Sequence, residues 1–469
     1  MKLNHFYSII FILVFSSCNT KNKHEDIEQG WKNLEVILTG IVDPTFPDKR
    51  FTITDFGAKP DGSICTDAIS KAIKTCHESG GGRVIIPKGE FLSGAIHLLS
   101  NVNLHLEDEA IIRFSTNPKD YLPVVITRSE GLELYNYSPL IYAYNQKNIA
   151  ITGNGILDGQ ATKENWWTWR GREQFGWKEG MPSGHDPESF PRLFEMAEKG
   201  VPLEERIFGE GTYLRPSFIQ PYECKNVLIQ GVTIKRPPMW VIHPVLTENI
   251  TIRGVNVNSP EAPNGDGCDP ECCKYVLIED CTFTTGDDCI AIKSGRNRQG
   301  YELGIPTENV VIRNCLMNDG HGGITIGSEL SGGVRNVYVY DCEMNSPDLV
   351  RALRIKSNKY RAGFVENIFL RNIKVAKIKS TAIRINQLYK EKSDVVYSPE
   401  KYTVMRNIFV ENMTVDESKF AIEIYGTEIE KINNVKIIDC QFHNIQEKNV
   451  IENVEGFILE NVKFGLKEE

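Results

Sequence analysis

Four short strings follow one another in this chain: Asn264-Gly265-Asp266-Gly267, Gly286-Asp287-Asp288, Gly320-His321-Gly322 and Arg354-Ile355-Lys356. Carboxylates can move protons, and a nearby basic pair can hold an anion. Together they supply what cleavage of an acidic sugar polymer needs. Asp266, Asp287, Asp288 and His321 are the candidate catalytic groups. Arg354 and Lys356 are the candidate substrate-binding groups, and Tyr389, following the next strand, offers a ring for sugar stacking. Each string alone carries little. Four in order, on a repeating frame, carry much more.

The frame is a repeated phrase. A turn residue, usually Asn, precedes an alternating apolar run, a polar pair and a second apolar run. Copies begin at Asn226, Asn249, Asn309, Asn336, Asn367, Asn407 and Asn434, with weaker ones at Asn148, Lys274 and Gly456. From Asn226 onward the starts lie 22 to 40 residues apart, so the longer intervals must carry loops. Period-two alternation reads as strand, bend, strand. Leucine-rich repeats would need intervening helices, and propeller blades a constant length of about 40 residues. The chain is therefore expected to be all-β, a right-handed parallel β-helix whose coils stack about 4.8 Å apart over an apolar column.

A second phrase recurs as Ile290-Ala291-Ile292-Lys293, Ile324-Thr325-Ile326-Gly327, Leu353-Arg354-Ile355-Lys356, Ile383-Arg384-Ile385-Asn386 and Ile422-Glu423-Ile424-Tyr425. Its apolar residues share one face, so Arg354 and Lys356 share the other, with Arg384 continuing a basic stripe. Asp287 and His321 each lie three positions before an Ile of this phrase. Matching Gly265–Cys268 to Gly286–Cys289 puts Asp266 over Asp287. The spacing predicts one column of Asp266, Asp287 and His321 on neighbouring coils, with Asp288 beside it and the basic pair on the next coil.

The net charge of −9 argues against a nucleic-acid partner and leaves a polyanionic substrate dependent on a local basic site. At the N-terminus, Lys2 and His5 precede an apolar core from Tyr7 to Phe15 and then Ser16-Ser17-Cys18. That pattern reads as a bacterial lipoprotein signal over residues 1–18, with Cys18 lipidated and the protein held on the outer membrane, periplasmic or surface-facing. The apolar core is too short for a spanning helix. Residues 19–48 read as a tether and N-terminal extension, with the polar run Asn19–Gln29 flexible. Residues 49–469 read as one catalytic β-helix domain, expected to act as a monomer.

Beyond Cys18 an odd number of the 12 cysteines remains, so at least one is unpaired. Cys268, Cys289, Cys315, Cys342 and Cys440 sit among apolar strand residues and read as small core hydrophobes. Cys272-Cys273 has no second pair at zinc-ligand spacing. Thr66–Cys76 gives the one clear helix signal, with Thr66 as N-cap and Ala68, Ile69, Ala72, Ile73 and Cys76 as its apolar stripe. Such a helix suits the plug of an open coil stack.

These motifs, with Asp55-Phe56-Gly57-Ala58 and Gly81-Gly82-Arg83-Val84 near the start, resemble the polygalacturonase family of glycoside hydrolases over residues 50 to 465. The resemblance implies hydrolysis of α-galacturonosyl bonds of pectin with inversion and no metal or other cofactor. It implies Asp287 as general acid, Asp266 and Asp288 on the water, His321 keeping the acid protonated, and Arg354 and Lys356 on a galacturonate carboxylate. Gly265 departs from the family's usual Thr, and Arg296–Pro306 reads as a loop inserted between coils.

Between Gln160 and Arg215 the repeat vanishes and Trp166, Trp167, Trp169 and Trp177 crowd together. This aromatic-rich insertion reads as a wall closing one end of the groove, its rings stacking on sugars. A blocked groove suits removal of terminal residues, and Arg236–Pro244 resembles exo-acting bacterial members. The alternatives are an endo-acting enzyme, a hydrolase of rhamnogalacturonan, a Ca²⁺-dependent pectate lyase, and a glycan-binding β-helix without activity.

Overall fold

The computed structural model describes residues 25–390 and 400–466; the signal segment with Cys18 lies outside them. The chain winds as a parallel β-helix. On its first face, Lys225–Gln230, Glu248–Arg253, Lys274–Glu279, Thr307–Arg313 and their successors pair in parallel, coil upon coil. Here Ile250, Val276, Val310, Val337, Ile368, Ile408 and Val435 stand in register and are fully buried. Each such side chain contributes about 1.5–3 kcal/mol of burial, so the column rather than any one coil holds the stack.

The repeated Asn has a physical reason. Asn226, Asn249, Asn309, Asn336, Asn367, Asn407 and Asn434 all adopt left-handed backbone at the bend into the strand. Their amides form ladders: Asn336 donates to Asn309 at 3.0 Å, Asn367 to Asn336 at 3.1 Å and Asn407 to Asn367 at 2.9 Å. Asn tolerates this conformation and satisfies its neighbour above. At the weak copy beginning with Lys274, Tyr275 takes the same conformation and interrupts the ladder.

Helix α2 (Thr66–Glu78) buries Ala68, Ile69, Ala72, Ile73 and Cys76 against the first coils and caps the stack as expected. Thr66 is not its N-cap. Cys65 occupies that position, and Thr66 Oγ1 instead accepts a bond from Gly94 N at 2.7 Å.

The tether expectation needs correction from Glu25 onward. Residues Glu25–Thr39 form helix α1, which lies along the outside of the first face. Leu277, Val311, Tyr338, Phe369 and Phe409 point outward there in one register column. Water would face that apolar stripe without the helix. Ile27, Trp31, Leu34, Ile37 and Leu38 cover it. Trp31 Nε1 donates to Glu411 at 2.7 Å, and Arg371 lies over the Trp31 ring at 4.3 Å. Gly30 is required at the contact, since a Cβ there would meet the Phe369 ring at 2.2 Å.

Among the described residues, three excursions with secondary structure of their own leave the stack beside its third face, the sheet of Ile290–Ile292, Ile324–Gly327 and Arg351–Lys356. One is an antiparallel hairpin, Val125–Ser129 with Leu132–Asn136, which the sequence reading did not separate from the repeat. The second is the 160–215 insertion, carrying helix α3 (Phe190–Glu198). The third is the 296–306 segment, which is not a bare loop but holds helix α4 (Asn297–Leu303). They brace one another. Leu193, Phe194 and Ala197 of α3 pack on Leu132 and Leu134 of the hairpin, and Arg298 donates to the Glu198 carbonyl at 3.0 Å. Arg128 ties the hairpin to the coils through Glu271 at 3.1 Å.

Candidate active site

The third face carries the site. Ile242, Cys268, Ile290, Ile324, Leu353, Ile383 and Ile422 align on successive coils and face inward, fully buried. Cys268 is thus a core residue. All eleven described cysteines are free and buried, Cys272 and Cys273 included.

This register corrects the predicted column by one residue. Cys268 pairs with Ile290, so counting back two positions sets Asp266 opposite Asp288, not Asp287. From the paired Ser259 and Thr285, the coil of Asp266 takes nine residues to reach Cys268 and that of Asp287 five to reach Ile290, so equal motifs do not mean equal register. Asp287 and His321 do stand together, with His321 Nδ1 2.9 Å from Asp287 Oδ1. The three carboxylates nonetheless converge, each offering an oxygen within 4.8 Å of the others.

Their environments differ. Asp288 is wholly buried, and Lys356 Nζ at 2.7 Å and Arg354 at 3.1 Å donate to its two oxygens. Burial pushes its proton affinity up, but the charges of Lys356 and Arg354 outweigh burial and hold it well below the usual carboxylate range. Asp266 is also buried and has no such pair of donors. Burial, then the charge of Asp287, raises its pKa to about 7, against the opposing charge of Lys293 at 3.6 Å. Burial also pushes Asp287 up, but the hydrogen bond from His321 brings it below its ordinary value. In return, that bond and the charge of Asp287 raise His321. Near neutral pH the trio therefore keeps one proton, as crowding requires, and burial favours Asp266 as its holder.

Arg354 and Lys356 are brought to the site, but as partners of Asp288 rather than a free basic stripe. Arg384 extends their column and is taken by Glu423 at 2.9 Å. Tyr389 lies over the pair, its ring centre 5.7 Å from the Arg354 guanidinium carbon and 5.8 Å from Lys356 Nζ.

Beneath the trio lies a cluster the sequence reading missed. Lys293, 2 % exposed, pairs with Asp269 at 3.3 Å and Glu329 at 3.4 Å as well as with Asp266, and sits 4.3 Å from the Trp240 ring centre. The signal was present: Lys293 ends Ile290-Ala291-Ile292-Lys293 as Lys356 ends Leu353-Arg354-Ile355-Lys356.

A cleft of about 350 Å³ opens over Asp287 and His321. Its wall includes Lys163, Arg170, Arg172, Gln174 and Phe175 of the insertion, which does close in on the site. The insertion's tryptophans are not on that wall, where Phe175 supplies the aromatic ring. Trp166 and Trp167 are buried in the core, the latter donating to the Pro237 carbonyl at 2.9 Å. The insertion presents mainly cations.

Residues 209–461 match the family model described as Glycosyl hydrolases family 28. A protein of Vitis vinifera named probable polygalacturonase is 28% identical over 407 residues, covering 84% of this chain and 74% of its own. The exo-poly-alpha-D-galacturonosidase of Dickeya chrysanthemi is 26% identical over 444 residues, covering 86% and 71%. The solved hyperthermoactive exopolygalacturonase of Thermotoga maritima superposes with a TM-score of 0.88 at 45% identity, over 93% of this chain and 96% of that one.

Proposed function

The chain belongs to glycosyl hydrolases family 28, and from that premise we propose that it removes galacturonate residues from the ends of α-linked galacturonan chains. The observation carrying this reading is the carboxylate trio, which meets the cleft at Asp287 opposite the cationic insertion and has Arg354 and Lys356 bound to its inner member, Asp288.

Asp287 is the general acid, because it is the carboxylate of the trio that lines the cleft. Asp266 is the favoured holder of the proton before reaction, and it and Asp287 exchange it as one coupled pair. His321 anchors Asp287 and balances its charge once the proton has gone to the leaving oxygen. Asp288, kept ionised by two cations, is the base that takes a proton from the attacking water. Arg354 and Lys356 reach a sugar carboxylate from the same place, beneath Tyr389. The carboxylate spacing lies near that of retaining enzymes. Asp288 is nonetheless encumbered as a nucleophile by its two donors, which supports water as the attacking group and inversion as the outcome. Two cations already neutralise the trio, so the chemistry requires no divalent ion.

The reading extends to location. The apolar Tyr7–Phe15 core before Ser16-Ser17-Cys18 supports export and a lipid anchor on Cys18 in the outer membrane. The protein then acts as an anchored monomer on pectic fragments.

Viscosity and new reducing ends, followed together on polygalacturonate, test the exo reading. Reducing ends should accumulate while viscosity barely falls. An early collapse of viscosity would mean internal cleavage.

A further inference from the structure

Arg170 and Arg215 are buried cations with no carboxylate in direct contact, the charges of Glu130 and Asp287 reaching them only from a distance. Their exposures are 9 % and 8 %. Arg170 bonds to His185 Nε2. Arg215 donates to the carbonyls of Pro238 at 2.8 Å and Pro263 at 2.6 Å, and to Asn264 Oδ1 at 2.8 Å. Neither guanidinium has an ion-pair partner among the described residues. Arg128 and Arg296 nearby do, with Glu271 and Glu133 for the first and Glu130 for the second, whereas buried Arg206 has all three of its bonds on the Val201 and Glu133 carbonyls and Gln299. Burial lowers the proton affinity of Arg170, and burial with the charge of Arg170 brings Arg215 down to about 9. An unpaired charge withdrawn from water is strongly unfavourable, and such groups gather where a ligand of opposite charge completes them.

Their position says where that ligand lies. Behind the cleft is a second chamber of about 180 Å³, lined in part by Glu130, Trp169, His185, Tyr213, Arg215 and Met239. Arg170 is the residue shared by chamber and cleft. The volume is about six water molecules' share of liquid, the scale of one sugar ring rather than a chain. Trp169 and Tyr213, edge to face at 5.3 Å, give it an aromatic side.

We propose that this chamber receives the terminal galacturonate of the substrate, with Arg170 binding its carboxylate and Arg215 supporting the positive field behind it. The scissile bond then lies over Asp287, and Arg354 and Lys356 hold the residue on the far side. The insertion sets both where the chain is cut and the demand for an acidic end. This assignment rests on the exo-acting reading above.

Calorimetric titration of the inactive Asp287→Asn protein with D-galacturonate and with D-galactose tests it. The uronate should bind more tightly by on the order of 30-fold, the range of a charge-assisted hydrogen bond. Arg170→Met should bring that ratio close to one while leaving galactose binding intact, and Arg170→Lys should restore part of it. In the active enzyme Arg170→Met should raise KM for short galacturonides about 10-fold or more. A preserved ratio in Arg170→Met, equal loss of both sugars, or no preference before substitution would each overturn the assignment. Thermal midpoints of both variants identify a folding failure, in which case Arg170→Lys alone decides. If monomer release persists while the ratio is unmoved, only this inference falls. If the unsubstituted enzyme yields a ladder of oligomers, the exo reading falls with it.

Discussion

Replacing Asp266 by Asn should move the alkaline limb of the pH–rate profile. A general acid must be protonated, so kcat/KM falls as pH rises through the affinity of the group that supplies the proton. Here that proton belongs to Asp266 and Asp287 together, with Asp266 raised to about 7. Their carboxylates approach within 4.8 Å. At an effective dielectric of about 20, two charges at that distance interact by about 3 kcal/mol, or about 2 pH units. Removing the Asp266 charge takes that support from Asp287. The limb should shift down from near 7 by about 2 units, and activity at pH 7 should fall on the order of 100-fold below the variant's own acid plateau. Reducing-end assays of kcat/KM from acid to alkaline pH would read both. A limb that stays in place would assign it to His321, whose affinity is raised by Asp287 and Asp288, and would refute the shared proton. Stability gives a second reading of opposite sign. Asp266 has a folded pKa above its unfolded value of about 3.9, so its contribution to stability declines as pH rises from about 4 to about 7. Asp266→Asn should therefore be more thermostable than the parent at pH 8, by up to about 4 kcal/mol, and lose that advantage near pH 4.

Asp288→Asn leaves Lys356 and Arg354 facing one another without their carboxylate, which should cost about 3–5 kcal/mol of stability at pH 7 along with activity. Because the folded pKa of Asp288 lies below its unfolded value, this cost should shrink as pH falls below about 4, as pH-dependent thermal melts would show. Gly30→Ala forces a methyl onto the Phe369 ring, so α1 should lift from the first face. Limited proteolysis near the N-terminus should then speed up while kcat holds, since α1 lies away from the cleft. Proton NMR of the first turnovers should show the β-anomer of the released galacturonate; the α-anomer would make a carboxylate the nucleophile.

The repeat was legible because period two and the recurring Asn both report local physics: alternating burial and a left-handed bend. The same alternation hid α1. Residues Ile27, Trp31, Leu34 and Leu38 have helical spacing, but the polar run before them read as tether, and the outward column Leu277–Phe409 that needs covering forms only once the coils stack. The catalytic residues were legible by type. Their register was not, because turns of different length lead into the same motif on neighbouring coils, and so Asp266 met Asp288. Trp166 and Trp167 looked like sugar platforms because composition says nothing of direction, whereas burial turned them into the core. Lys293 was visible as a strand-ending Lys, but its role depends on Asp269 and Glu329 arriving from other coils.

The central claim is exo-hydrolysis of galacturonan by the Asp266, Asp287 and Asp288 trio. The most direct test is a time course on polygalacturonate, with and without chelator, resolved by chromatography and read in the ultraviolet, using the parent enzyme and Asp287→Asn. Saturated monomer should appear from the first time point, indifferent to chelator and absent from the variant. An ultraviolet-absorbing, chelator-sensitive product, or oligomers preceding monomer, would contradict it.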